Sequence, residues 1–113
     1  MRQDYVPQRG DVIWLSFSPQ AGREQAGRRP GIVLSPDAFN RRVGLALTCP
    51  VTSRIKGYPF EVRLEGVHGL SGVILVDQLR SLDWRAREAE RAGRAPAHVL
   101  ADVLARLRPL LGM

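Results

Sequence analysis

The chain has a single cysteine, Cys49, in 113 residues. That excludes an internal disulfide, and with only two histidines, His68 and His98, it leaves no basis for a zinc site. The acidic residues are scattered, without the paired motif that holds magnesium. No cofactor or metal is expected. Lysine occurs once, at Lys56. No apolar run approaches the ~18 residues that cross a membrane. The opening Met1-Arg2-Gln3-Asp4-Tyr5-Val6-Pro7 lacks the apolar segment of a signal peptide. There is no P-loop, no dinucleotide fingerprint and no HExxH. Repeats and linkers are absent as well. A small soluble cytoplasmic protein is expected. Cys49 reads as a buried small hydrophobe rather than a nucleophile. The two histidines read as solvated surface, because neither has an orienting partner near it in sequence.

What is present is ordinary globular composition, 44% apolar and 25% charged. The length suits one domain, residues 1–113, around one core. The charge is less ordinary. Seventeen basic residues against eleven acidic give +6, and sixteen of the seventeen are arginine. A genome rich in G and C would also favour arginine. The excess is uneven, however: residues 1–63 hold ten basic and five acidic side chains, and residues 64–113 hold seven and six. A basic amino-terminal half suits an anionic partner, because phosphate contacts release counterions and dominate nucleic-acid affinity. The basic residues do not share one amphipathic helix, which argues against a membrane surface.

Period-two alternation predicts strands at Asp11–Phe17, Gly31–Ser35, Leu45–Val51, Pro59–Leu64 and Gly72–Asp77, with Leu79–Trp84 continuing the sheet. Pro30, which has no N–H to donate, is placed at the start of the second strand. Pro36–Asn40 has room for one helical turn. Both faces of the first strand are partly apolar, so its second face is expected to be covered too. Val99, Leu100, Val103, Leu104, Leu107, Leu110 and Leu111 recur at helical spacing. Pro96 and Gly112 suit the entrance and exit of a helix over 96–111. The expected fold is therefore mainly β with α cover: a small β-barrel carrying a C-terminal amphipathic helix.

Two polar loops hold the chemistry that remains. The first, Ser18–Arg29, sets one carboxylate, Glu24, among Arg23, Arg28 and Arg29. Arginine presents a planar fork of donors suited to phosphate oxygens. A solvated loop with a surface ion pair is the plainer reading. The second loop, Thr52–Pro59, places two hydroxyls before Arg54, Lys56 and a Gly-Tyr-Pro turn, and ordinary turn chemistry is again the plainer reading.

Taken together, four ordered segments resemble the MazF/PemK family, the toxin half of bacterial type II toxin–antitoxin modules. They are Arg9–Trp14, Glu24–Pro30 with Val33–Ser35, Pro50–Val62, and Leu75–Arg85. The stretches Glu24–Pro30 and Lys56–Val62 point to the MazF branch in particular. The resemblance implies a compact SH3-like (CcdB/PemK-like) barrel, a cytoplasmic homodimer, and inhibition by a MazE-like antitoxin, with DNA reached only indirectly through the antitoxin complex. It implies a sequence-specific endoribonuclease acting on single-stranded RNA, mainly mRNA. Cleavage would need no metal: the neighbouring 2′-hydroxyl attacks, leaving a 2′,3′-cyclic phosphate and a 5′-hydroxyl.

Such a reaction needs a base for the 2′-hydroxyl and donors for the charge that develops on phosphorus. Glu24 is the candidate base, being the only carboxylate in either loop. Arg29 is the candidate for stabilising the phosphorane, and the resemblance also suggests it as proton donor. Thr52 and Ser53 are placed to hydrogen-bond the phosphate. Arg28, Arg54, Lys56, Tyr58 and Gln78 are candidate RNA-binding residues, Tyr58 by stacking and Gln78 at a base edge. For Tyr58 a packing role, and for Gln78 a satisfied sheet-edge amide, fit the sequence equally. Arg41, Arg42 and Trp14 are weaker candidates for the same track, and Asp77 is taken as structural. Two other functions compete: a CcdB-type toxin that targets DNA gyrase, and a basic barrel that binds nucleic acid without cutting it.

Overall fold

A computed structural model of the chain describes residues 4–19 and 21–113; Met1–Gln3 of the opening segment and Gln20 of the first loop lie outside the described residues. The described residues form seven strands and two helices. These are β1 (Asp11–Ser16), β2 (Arg28–Val33), α1 (Asp37–Val43), β3 (Leu45–Thr52), β4 (Glu61–Leu64), β5 (Gly72–Leu75), β6 (Arg80–Asp83), β7 (Glu90–Arg94) and α2 (Ala97–Leu110). A single 3-10 turn, Val76–Gln78, joins β5 to β6.

The strands lie in the order β4-β5-β3-β2-β1-β7, with β6 also on β3, and every described pair is antiparallel. β3 organises the sheet. Its first half, Leu45–Thr48, pairs with β6, and its last two residues, Val51 and Thr52, pair with β5. Pro50 falls where β3 changes partner, and a residue without an N–H is tolerated at such a gap in the ladder. The sheet curls into a half-barrel, the mainly β architecture with a C-terminal helix that the periodicities predict.

Apolar side chains fill both faces of the curl. On one, Val12, Ile32, Cys49, Val51, Ile74 and Val76 pack with Val99 and Val103 of α2. On the other, Ile13, Leu15, Phe17, Val33 and Ala46 pack with Leu82 and Trp84. Successive residues of a strand point to opposite faces, so Val12 and Ile13 belong to different clusters. Both are fully buried within one chain. On the second face of β1, Val12 is thus in the core with α2, while Trp14 on the same face stays half-buried.

Several boundaries differ from expectation, among them the fifth strand, which ends at Leu75 and gives way to the 3-10 turn Val76–Gln78. β2 begins at Arg28, because Arg28 and Arg29 pair with Ser16 and Leu15 of β1. Pro30 is therefore inside the strand; it lies just outside the β2–β3 ladder, which starts at Gly31. α1 continues to Val43, and Gly44 closes it in the left-handed conformation. β7 has no counterpart in the sequence reading. It is a polar edge strand, paired to β1 across a bulge between Val12 and Ile13, so backbone pairing rather than apolar alternation defines it.

Cys49 is buried, and its Sγ lies 3.7 Å from the Val76 carbonyl. Burial, aided by the negative charge of Asp77, pushes its thiol up to about 12. At pH 8 that leaves on the order of one thiolate in ten thousand. Iodoacetamide at pH 8 should therefore leave the native protein unlabelled and modify it once it is unfolded in urea. Rapid labelling of the native state would show that the thiol is accessible.

Candidate active site

Alternation along β2 sends neighbouring arginines apart. Arg28 turns toward the segment after β6. Its guanidinium donates to the carbonyls of Arg87 (3.3 Å) and Glu88 (2.8 Å) and pairs with Glu90 at 3.0 Å. Arg29 turns the other way. Its Nε donates to the Ala26 carbonyl (2.9 Å) and its Nη1 to the Val51 carbonyl (3.4 Å). The first loop and the end of β3 are thereby joined through one side chain, beside Thr52. Arg28, expected with the RNA-binding set, is not brought together with Arg29; three of its contacts go to the β6–β7 connection and the start of β7.

The Arg29 contacts use two of its five N–H donors, leaving the others for an incoming anion. Thr52 is largely buried at the end of β3, and its Oγ1 accepts the Arg54 amide at 3.2 Å. Its own O–H proton remains available to donate. Gly72 makes this corner possible. A β-carbon there would lie 2.3 Å from the Thr52 carbonyl oxygen. Only a glycine lets β5 approach Thr52 so closely.

Glu24 is exposed, and its Oε1 accepts the Ala21 amide at 3.0 Å. Among the described residues Arg23, Glu24, Arg29, Arg54 and Lys56 make no ion pair. The arrangement is a cationic surface with one carboxylate, Glu24, that pairs with no cation among the described residues. The base of the first loop is pinned by side chains the sequence reading missed. Arg80 donates to the Phe17 carbonyl at 2.8 Å, and Arg87 donates to those of Ser16 (3.0 Å) and Ser18 (2.8 Å).

The second loop is shaped from within. The Glu61 carboxylate accepts the amides of Lys56 (3.1 Å), Gly57 (3.0 Å) and Tyr58 (3.3 Å). Arg106 of α2 donates to the Pro59 carbonyl at 3.1 Å. Ser53, Arg54, Ile55 and Lys56 are left exposed at the tip. The Tyr58 hydroxyl donates to Asp77 at 2.6 Å, which raises the phenol above its ordinary range, and its ring meets Phe60 edge-on. Tyr58 therefore has a packing role, with an exposed ring face besides.

Gln78 also has definite partners. Its Oε1 accepts the Gln25 amide at 2.9 Å, and its Nε2 donates to the Arg23 carbonyl at 3.4 Å. Asp77 and Gln78 act on distant loops, and no local pattern in the sequence signals that; Glu61 acts within its own loop.

Elsewhere, His98 does have a partner, Glu65 at 2.7 Å, but both are exposed on the surface. His68 is exposed. A cleft of about 390 Å³ lies at the other end of β1, lined by Tyr5, Asp11, Asp37, Arg41 and Arg91 among others. Its buried carboxylate, Asp11, is already held by Tyr5 and Arg94. The two loops instead present an open surface, which suits a polymer better than an enclosed small molecule. Among the described residues no three His, Cys, Asp or Glu side chains gather into a metal-sized group. No described helix is long and apolar enough to cross a membrane.

Comparison with known proteins gives a consistent result. Residues 8–111 match the family described as PemK-like, MazF-like toxin of type II toxin-antitoxin system. The chain is 46% identical over 108 residues to the endoribonuclease toxin MazF of Escherichia coli K12, covering 96% of each. The crystal structure of MazF (Form-I) from Deinococcus radiodurans is 61% identical and superposes with a TM-score of 0.93, covering 97% of this chain and 100% of that one. A MazE–MazF structure (Form-II) from the same organism is 61% identical, with a TM-score of 0.87 over 97% and 99% of the two chains. The near full-length match and the shared fold establish that this chain belongs to the PemK-like, MazF-like toxins of type II toxin–antitoxin systems.

Proposed function

We propose that the chain is the toxin of such a module: an endoribonuclease that cuts single-stranded RNA by attack of the neighbouring 2′-hydroxyl, without a metal. The observation that carries this reading is the position of Arg29. Its guanidinium lies between Ala26 of the loop holding Glu24 and Val51 at the end of the strand holding Thr52. A phosphate set against it would have the loop that carries Glu24 on one side and the end of the strand that carries Thr52 on the other. Relatives named as endoribonucleases, including Escherichia coli PemK at 40% identity over 111 residues, favour this reading over a gyrase-directed toxin or a passive binder.

In the reaction, the 2′-oxygen forms its bond to phosphorus as Glu24 takes its proton. Arg29 and Thr52, with Ser53, donate to the non-bridging oxygens as charge builds on them. The bond from phosphorus to the 5′-oxygen then breaks, that oxygen takes a proton from water, and Glu24 returns to solvent the proton it took from the 2′-hydroxyl. The products are a 2′,3′-cyclic phosphate and a 5′-hydroxyl. Arg54, Lys56 and the exposed face of Tyr58 line the approach, where base stacking on an aromatic ring contributes ~1–3 kcal/mol. A single 2′-deoxy substitution at the cut nucleotide should abolish cleavage there, because the nucleophile is gone. Undiminished cutting of that oligonucleotide would overturn the mechanism.

The protein acts as a homodimer. Phe39 and Val43, one turn apart on α1, and Leu47 of β3 stay exposed in one chain and favour burial against a second copy. Light scattering at micromolar concentration should give twice the chain mass; a monomer would count against it. A MazE-like antitoxin is the inhibitor. Its disordered acidic tail suits the cationic loops, so antitoxin and uncleavable RNA should compete for the same surface.

A further inference from the structure

We infer that Gln78 is a positioning residue that sets Glu24 for catalysis, and that the 3-10 turn carrying it is the common anchor of both active-site loops. This rests on the proposed ribonuclease reading. The turn is fixed to the core through Val76, which is fully buried. The Val76 amide donates to the Phe60 carbonyl at 3.0 Å, and the Val76 carbonyl faces Cys49 of β3. From this fixed point two successive side chains diverge. Asp77 holds the second loop through the Tyr58 hydroxyl at 2.6 Å. Gln78 holds the first.

The Gln78 contact is specific in form. Its carboxamide accepts from Gln25 and donates to Arg23, the residues on either side of Glu24. A primary amide offers the same donor and acceptor pair as a peptide group. Gln78 therefore stands in for a neighbouring strand and holds the backbone of residue 24 from both flanks. Among the described residues no other side chain bonds these two backbone groups. Glu24 itself is exposed, and its other ties stay within the loop: its carboxylate accepts the Ala21 amide and its amide donates to the Ala21 carbonyl at 3.2 Å. Without Gln78 its carboxylate has little to fix it relative to Arg29. In this arrangement one donor and one acceptor of the carboxamide are committed to the loop, which favours positioning over the base-edge contact that the sequence alone also allows.

The two roles separate in a double-mutant cycle. Cut sites are first mapped on a long mixed-sequence RNA, and an oligonucleotide containing one of them is the substrate. Gln78→Met keeps the length and removes both hydrogen bonds. It should lower kcat roughly ten- to a hundredfold, the scale of a misplaced catalytic group, with KM changed less than about threefold. In a Glu24→Gln background the same change should cost less than about threefold more, because its effect passes through Glu24. Full additivity of the two losses, or a raised KM with altered cut sites, would overturn the inference and leave the ribonuclease reading standing. If Glu24→Gln alone cleaved at the parental rate, the assignment of the base would fail instead. Gln78→Glu keeps an acceptor for Gln25 but loses the donor to Arg23. It gives the same test should Gln78→Met melt early, and it should show the same non-additivity.

Discussion

Replacing Arg29 by alanine is expected to slow RNA cleavage by at least roughly 10²–10³-fold while the protein stays folded. The side chain combines a full positive charge with a planar fork of donors, and it meets no carboxylate among the described residues. Its charge is held in place by two carbonyls, those of Ala26 and Val51, and awaits an anion. Preorganised donors of this kind act on charge that appears only in the transition state, so their loss falls on kcat. The structural cost is smaller. Two carbonyls, of half-buried Ala26 and buried Val51, lose a partner, at about 1 kcal/mol each, and water replaces part of that. Arg29→Lys keeps the charge without the fork and should recover only part of the rate. Initial rates on a mapped oligonucleotide, read beside thermal melts, check both claims. Cleavage by Arg29→Ala at the parental rate would remove Arg29 from the mechanism.

The second large effect is on the fold at the same corner. Gly72→Ala is expected to destabilise the protein by on the order of 3–5 kcal/mol, a large share of a typical domain's stability. Two causes add. Gly72 has φ of +127°, a conformation L-residues rarely adopt, and its β-carbon would meet the Thr52 carbonyl oxygen at 2.3 Å. That oxygen is backbone, so relief requires β5 to move away from β3. The melting temperature should fall by roughly 10–20 °C. Gly57→Ala is the contrast. It too has positive φ, 78°, but a β-carbon there meets nothing within 4 Å. It should cost only about 1 kcal/mol. Equal melts for the two variants would show that backbone strain alone, without the Thr52 contact, governs this corner.

The parts of the fold that bury an apolar face were legible from period alone. β1, β3, β4, β5 and α2 each carry that signal, and each appears within a few residues of its expected place. β7 was not legible, since its polar Glu-Arg-Ala-Gly-Arg run earns its place by backbone pairing to β1. The two residues added to β2 matter more for function. They turn Arg28 and Arg29 from loop neighbours into strand neighbours, and alternation then assigns them opposite faces. Spacing alone left both loops with plainer readings; the family resemblance singled out Glu24, Arg29 and Thr52. The supporting contacts are long-range. Gln78 meets Arg23 and Gln25, and Tyr58 meets Asp77, only after the sheet has closed. Nothing local in Val76-Asp77-Gln78 marks it as the point where two distant loops meet.

The central claim is a metal-free ribonuclease, and one measurement reaches it directly. Purified protein is incubated in EDTA with a long mixed-sequence RNA and with a DNA strand of matched sequence, and the new ends are analysed. The account predicts discrete cuts in the RNA alone, each leaving a 2′,3′-cyclic phosphate and a 5′-hydroxyl. Intact RNA from a folded protein, or equal cutting of the DNA, would contradict it.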